Sequence, residues 1–285
     1  MRTAFIGLGV MGFPMAGHLA KAGHEVRVFN RGPEKTRHWL AEHSGSTGHT
    51  LAETVMGCDA VALCVGKDDD VRECLTEILP AMSVGGVVID HTTTSAKLAR
   101  EAAGLSRAVG RWFVDAPVSG GEAGAKNGTL SVMAGGEPEG FEKAEPVMAA
   151  YAKAIKRIGG PGAGQLAKMV NQICIAGVVQ GLAEAVHFAK AAELDTDAVL
   201  EALSKGAAQS WQMENRWKTM VQGQFEFGFA VDWMRKDLGL VLDEARSNGA
   251  GLVLTAMVDQ FYAEVQAMGG RRWDTSSLAA RLERK

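Results

Sequence analysis

Two hydrophobic periods divide the chain. Up to about residue 163, short apolar runs alternate with helix-period segments. Thr3–Ile6, Glu25–Phe29, Ala60–Val65, Gly86–Ile89, Trp112–Val114 and Leu130–Ala134 read as strands, with a helix over Met11–Ala22 and further helices between most of the others. Beyond that point strand-like runs cease and 3.6-period segments follow at Gln165–Ala192, Thr196–Leu203, Trp233–Asn248 and Leu252–Met268. Alternating strands and helices imply crossover connections and a parallel sheet. The expectation is an α/β Rossmann-type, doubly wound N-terminal domain over residues 1–162. An all-α C-terminal domain follows over 163–285 and begins with a long interdomain helix.

That helix carries an oddity. In GAGQLAKMVNQICIAGVVQGL, Lys168 and Asn171 share a helix face with Ile175, Val178, Val179 and Leu182, so the stripe is polar in its first turn alone. A solvated helix spreads its charges along the whole exposed side, whereas here one ammonium tops an apolar stripe. The most apolar window, Ile173–Ala189, is interrupted by Gln180, Glu184 and His187, which argues for a core helix instead of a membrane span.

Composition narrows the function classes. The 285 residues are 47% apolar, enough for two cores, and 30 basic against 33 acidic residues give a net charge of −3 without a basic block that could serve as a nucleic-acid arm. Cys58, Cys64, Cys74 and Cys174 form no C-x-x-C pair and no zinc spacing, so they read as reduced thiols. MRTAFIGLGVMG is glycine-rich too early for a signal peptide, and a cytoplasmic protein without membrane or nucleic-acid partners is expected.

Gly7, Gly9 and Gly12 of GLGVMG have dinucleotide-binding spacing, placed between a strand and a helix. The first permits a tight turn, the second lets a pyrophosphate approach the backbone, and the third lets helix pack on strand. At the end of the second strand, where an acidic residue would bind the ribose 2′-hydroxyl, stand Asn30 and Arg31. An uncharged amide beside a planar guanidinium favours a 2′-phosphate, hence NADP over NAD. Gly7, Gly9, Met11, Gly12, Asn30, Arg31 and Val65 are the cofactor-binding candidates of this half.

Four ordered blocks, FIGLGVMGFPMAGHLAKAGHEVRVFNR, DAPVSGGEAGAKNGTLSVMAGG, GAGQLAKMVNQ and KDLGLVLDEA, resemble the β-hydroxyacid dehydrogenase family, which includes 3-hydroxyisobutyrate dehydrogenase, tartronate semialdehyde reductase and the glyoxylate/succinic semialdehyde reductases. The resemblance implies a 6-phosphogluconate dehydrogenase-like architecture and an oxidoreductase interconverting a short β-hydroxyacid and its semialdehyde with NADP or NAD. It places Ser119, Gly120 and Gly121 against a substrate carboxylate, Lys168 as catalytic lysine, Asn171 as its orienting partner, and Thr93 and Lys236 against the cofactor. Two departures stand out: Thr92 and Ala96 in DHTTTSAKL replace the usual Ser and frequent Pro, and Gly66 of LCVGKDDDV replaces Leu-Pro, on the adenosine side.

The residues themselves are compatible with that chemistry. Hydride transfer to an aldehyde builds negative charge on the carbonyl oxygen, and a lysine can supply the neutralising proton. Ser-Gly-Gly offers a hydroxyl and unobstructed backbone amides for a small carboxylate. Other features read as structural: Trp211, Met213, Trp217 and Phe229 as core, His91 and His187 as structural or surface groups, Asp68-Asp69-Asp70 as a solvated loop before a helix, and Arg271-Arg272 and the tail from Arg281 to Lys285 as solvated charge. The apolar surplus of residues 164–270 suggests a homodimer or homotetramer. Alternatives are an imine reductase-like enzyme, disfavoured by the lysine at 168, and a non-catalytic NADP-binding scaffold or redox sensor.

Overall fold

The computed structural model describes residues 1–283. The first half alternates as expected: β1 (Arg2–Ile6), α1 (Gly12–Lys21), β2 (Glu25–Phe29), α2 (Pro33–Glu42), α3 (Leu51–Val55), β3 (Ala60–Leu63), α4 (Asp68–Ala81), β4 (Val87–Asp90), α5 (Ala96–Ala108) and β5 (Trp112–Asp115). Then come β6 (Val118–Ser119), α6 (Gly121–Asn127), β7 (Leu130–Gly135), α7 (Pro138–Met148) and β8 (Ala152–Gly159). Strand order is β2-β1-β3-β4-β5-β7-β6, with β8 paired to β7; the first five strands are parallel and β7 runs antiparallel to β5. An isolated parallel bridge, Arg27 to Ser46, occupies the position outside β2. Winding reverses at β1, whose neighbours are β2 and β3, and a doubly wound sheet opens its ligand crevice beyond the strand ends at such a point. Gly7–Gly12 and Val65 follow those two strand ends.

Helices on both faces leave no solvated side for the central strands, so β3 and β4 are buried at every residue. Alternate side chains feed two cores. Phe5, Ala60, Ala62 and Ile89 pack with Met15, Ala16 and Leu19 of α1 on one face; Ala4, Ile6, Val61 and Leu63 pack with Val71, Leu75 and Ile78 of α4 and with Leu98 and Ala102 of α5 on the other.

Compact units divide after Lys168, some way into α8 (Ala163–Ala191), because the first turn of that helix lies on the strands. A Cβ on Gly164 would come within 2.4 Å of the Asp115 carbonyl oxygen and 2.5 Å of that of Met133. The second unit is helical: the rest of α8, then α9 (Thr196–Leu203), α10 (Trp211–Gln222), α11 (Val231–Asn248), α12 (Val253–Ala267), a 3₁₀ turn at Thr275–Ser277 and α13 (Leu278–Leu282). Its core joins Ala176, Val179 and Ala183 to Met213 and Trp217, Met234 and Leu238, and Val258 and Tyr262. By length and composition α8 is apolar enough to cross a membrane. Within it Gln180 donates to Glu184 at 2.6 Å, and one face packs in this core.

Several expectations are corrected. Asp68, Asp69 and Asp70 form the first turn of α4, where Asp70 accepts from the Lys67 amide, so they belong to the helix and not to a loop before it. Met213 and Trp217 are core, but Trp211 and Phe229 are 50% and 39% exposed; Arg216 lies over the Trp211 ring. Arg281 is largely buried against the Phe261 ring and near Glu264, not solvated; residues 284 and 285 of that tail lie outside the described residues. His187 is exposed, and His91 is a structural histidine.

The His91 imidazole is locked between the Ala116 carbonyl at 2.7 Å and the Tyr151 hydroxyl at 2.8 Å. The carbonyl can accept only, so Nδ1 donates and Nε2 accepts from Tyr151. Burial lowers the pKa of His91 to about 4. The unfolded chain therefore binds a proton at this residue between about pH 6.5 and 4 that the fold refuses, and stability is lost as pH falls through that window. We expect the His91 ring ¹⁵N signals to remain those of the neutral form at pH 5. His91→Gln should flatten the fall in urea midpoint between pH 7 and 5. A His91 ring that titrates near pH 6 contradicts this.

Candidate active site

The turn after β1 is tight at its outer glycines and open at its middle one. Gly7 has φ +96°, and a Cβ there would lie 2.2 Å from the Cys64 carbonyl oxygen; a Cβ on Gly12 would lie 1.9 Å from the Gly7 oxygen. A Cβ on Gly9, in contrast, meets nothing within 4 Å, so the backbone at the second glycine faces open space. This is the division of labour that pyrophosphate binding requires, with close packing at the outer glycines and access at the middle one. Met11 opens α1 and packs against the core. The Leu8 amide donates to Asn30 Oδ1 at 3.0 Å, and Asn30 Nδ2 donates to the Gly32 carbonyl, so Asn30 braces the turn to the end of β2. The Arg31 side chain is 81% exposed with its guanidinium 3.2 Å from Asp70. At Gly66 a Cβ would lie 2.6 Å from Asp70 Oδ2, the end of a side chain that can turn aside.

Beyond β3 and β4 the backbone is pinned from inside. Val65 N–H donates to the Thr92 hydroxyl at 3.0 Å, and Thr92 N–H donates to Asp90. Thr92 and Thr94 are buried, while Thr93 between them is half-exposed. Burial raises the Asp90 pKa to about 7, against hydrogen bonds from Thr92.

Lys168 and the Ser-Gly-Gly loop meet. Lys168 is only 8% exposed, and its Nζ donates to the Val118 carbonyl at 3.0 Å, one residue before Ser119. Ser119 ends β6, paired with Ser131 of β7. Gly120 and Gly121 have φ +128° and +60°, which side-chain-bearing residues rarely adopt, and nothing lies within 4 Å of a Cβ on Gly121. A buried ammonium thus stands beside a hydroxyl and a glycine loop of accessible amides.

Asn171 and Lys236 belong to the second unit, where one polar chain joins them. Asn171 Nδ2 donates to Gln172 Oε1 at 2.8 Å, Gln172 Nε2 donates to Asp237 Oδ2 at 2.7 Å, and Lys236 Nζ lies 3.2 Å from Asp237 Oδ1.

Sequence reasoning passed over four buried polar residues: Asp115, Gln165, Gln172 and Asp237. Asp115, at the end of β5, accepts from the Gly162 and Gln165 amides at 2.8 and 2.9 Å. Burial raises its pKa to about 7 despite those bonds. All four stand inside the quoted motifs, but nothing in their sequence positions shows their partners, which only the fold brings near. No group of three metal-ligating side chains occurs among the described residues, where Asp68 is bonded to Ser95, Asp69 to Arg72 and Asp70 to Arg31.

Comparison with known proteins gives the class. Residues 2–160 match the NAD binding domain of 6-phosphogluconate dehydrogenase, and residues 162–282 match the NAD-binding domain of NADP-dependent 3-hydroxyisobutyrate dehydrogenase. The chain belongs to the 3-hydroxyisobutyrate dehydrogenase family of NAD(P)-dependent hydroxyacid oxidoreductases. It is 58% identical to an uncharacterized oxidoreductase of Shewanella frigidimarina, over 99% of this chain and 98% of that one. It is 35% identical to 2-hydroxy-3-oxopropionate reductase of Escherichia coli, over 99% and 97%. Among solved structures, the 3-hydroxyisobutyrate dehydrogenase of Mycobacterium tuberculosis with L-serine superposes with a TM-score of 0.90 at 32% identity, covering all of both chains.

The glycine geometry separates folding from binding. Gly9→Ala should leave the melting temperature within about 2 °C of wild type, since the methyl enters open space, yet weaken NADPH at least about ten-fold. Gly7→Ala should lower both, because its Cβ strikes backbone. Thermal melts and NADPH fluorescence titration check the pair; unaltered NADPH affinity in Gly9→Ala contradicts it.

Proposed function

We propose that this enzyme reduces a small semialdehyde carrying a carboxylate, or oxidises the corresponding β-hydroxyacid, with Lys168 as general acid and base. The observation that carries this reading is the Lys168 ammonium held at 3.0 Å from the Val118 carbonyl, beside Ser119. The dinucleotide supplies and takes back the hydride. Gly120 and Gly121 present amides and Ser119 a hydroxyl to the substrate carboxylate, which fixes the carbonyl end relative to Nζ. As charge grows on the substrate oxygen, Nζ gives it a proton; in oxidation Nζ accepts the hydroxyl proton. Asn171, three residues further along α8, is the orienting partner that the family resemblance assigns.

NADP is the favoured cofactor, since the exposed Arg31 fork beside an uncharged Asn30 suits a 2′-phosphate. Tartronate semialdehyde, methylmalonate semialdehyde, succinic semialdehyde and glyoxylate are the candidate substrates. A cytoplasmic location fits cysteines that form no disulfide among the described residues, and assembly as a homodimer or homotetramer through the helical unit fits the exposed Val170 and Phe188 of α8 and Val253, Leu254 and Met257 of α12.

Following NADPH absorbance against those four aldehydes tests the reading. Lys168→Ala should lower kcat by about 10² to 10⁴ while NADPH affinity stays within about three-fold. Wild type that binds NADPH tightly and turns over none of them overturns it and favours a scaffold. Arg31→Ala should weaken NADPH about ten-fold or more while sparing NADH; equal effects on both remove the case for the 2′-phosphate.

A further inference from the structure

We infer that Gln165 is a positioning residue that couples cofactor occupancy to the Lys168 helix; this rests on the readings of Thr93 as a cofactor contact and Lys168 as the acid and base. Gln165 is wholly buried, and both ends of its side chain are used. Oε1 accepts from the Thr94 amide at 3.1 Å, and Nε2 donates to the Thr92 carbonyl at 2.7 Å. One amide thus grips the backbone on each side of Thr93, which is itself half-buried. Because Thr92 also accepts from Val65 N–H, the same grip reaches the segment after β3.

The other end of the linkage is equally short. The backbone amide of Gln165 donates to Asp115 Oδ2, while Gly162 donates to Oδ1, so the carboxylate fixes the first turn of α8. Gly164 and Gly135 approach so closely that a Cβ on either would lie within 2.6 Å of neighbouring backbone, which leaves that turn no room to slide. Lys168 follows Gln165 by three residues, on a neighbouring part of the helix surface. A push on Thr93 by a bound nucleotide therefore reaches Nζ through one buried amide and one helical turn. No mobile loop intervenes. Glutamine fits this role better than a carboxylate, since the site needs one acceptor and one donor and a glutamate offers acceptors only.

The test uses Gln165→Met, which keeps length and volume and removes both bonds, with Gln165→Glu as a second variant that retains the acceptor for Thr94 and sets an acceptor against the Thr92 carbonyl. In Gln165→Met we expect NADPH binding about ten-fold weaker and kcat about ten-fold lower, with KM for the aldehyde within about two-fold and the protein still folded. Gln165→Glu should lower NADPH affinity and kcat as well, because it loses the bond to Thr92. In wild type, NADPH should slow hydrogen exchange of Thr92–Thr94 and of Gly162–Lys168 together; in Gln165→Met it should slow the first segment alone. NADPH affinity and kcat within two-fold of wild type in both folded variants overturn the inference, as does protection that leaves Gly162–Lys168 unchanged in wild type. Should Gln165→Met fail to fold, Gln165→Glu and the wild-type exchange measurement still decide. The affinity and exchange measurements need no turnover, so they stand apart from Lys168→Ala, whose failure would instead sink the assignment of the lysine.

Discussion

The structure of the N-terminal unit turns on one carboxylate, Asp115, which takes two backbone amides at the start of α8. Helix N-termini leave amides without partners, and a buried carboxylate without donors is costly; each resolves the other's deficit. The pair also unites two motifs that are far apart in sequence. Asp115 leads directly through Ala116 and Pro117 to Val118 and Ser119, and α8 leads to Lys168, so the bond that joins their beginnings also explains why Lys168 Nζ meets the Val118 carbonyl.

The same logic of backbone approaching backbone recurs at the cofactor turn. Gly7 and Gly12 are spent on packing and Gly9 on access, whereas at Gly135 and Gly164 both glycines are spent on packing. At the four packed positions glycine marks places where main chain must touch main chain, whereas Gly9 and Gly121 leave open space beside the candidate site. Asn30 adds a polar brace to the turn, which gives residue 30 a structural duty alongside whatever it does toward the ribose.

Much of this was legible in the sequence, and the failures have physical causes. Strands β1, β3, β4 and β5 announced themselves as apolar runs because both their faces are covered, whereas β2 at the end of the order alternates Glu25 and Arg27 with Val26 and Val28. Strand β8, in contrast, alternates Lys153, Lys156 and Arg157 with apolar residues along an exposed edge, where such charges are expected and blunt the strand signal. Two-residue β6 has no period at all. Helix α10 is not among the expected elements, although Ser210 caps its start and Gly223 ends it in a left-handed conformation, because WQMENRWKTMVQ is mostly polar and buries only Met213, Trp217 and Met220. At the site, the motif glycines, Ser119 and Lys168 were visible as chemistry. Asp115 and Gln165 were not, since their partners are backbone groups whose proximity only the fold creates.

Lys168 carries a further consequence. A free lysine side chain loses roughly 2 kcal/mol of rotamer entropy when fixed in one geometry. Here the buried stem and the bond to the Val118 carbonyl have imposed that restriction during folding, before any ligand arrives. The ordering cost therefore falls on protein stability and not on a later binding step, so the Lys168 ammonium is preorganised in the folded chain. A buried ammonium of this kind costs thermodynamic stability, so an apolar residue of similar length at 168 is expected to make the fold tougher.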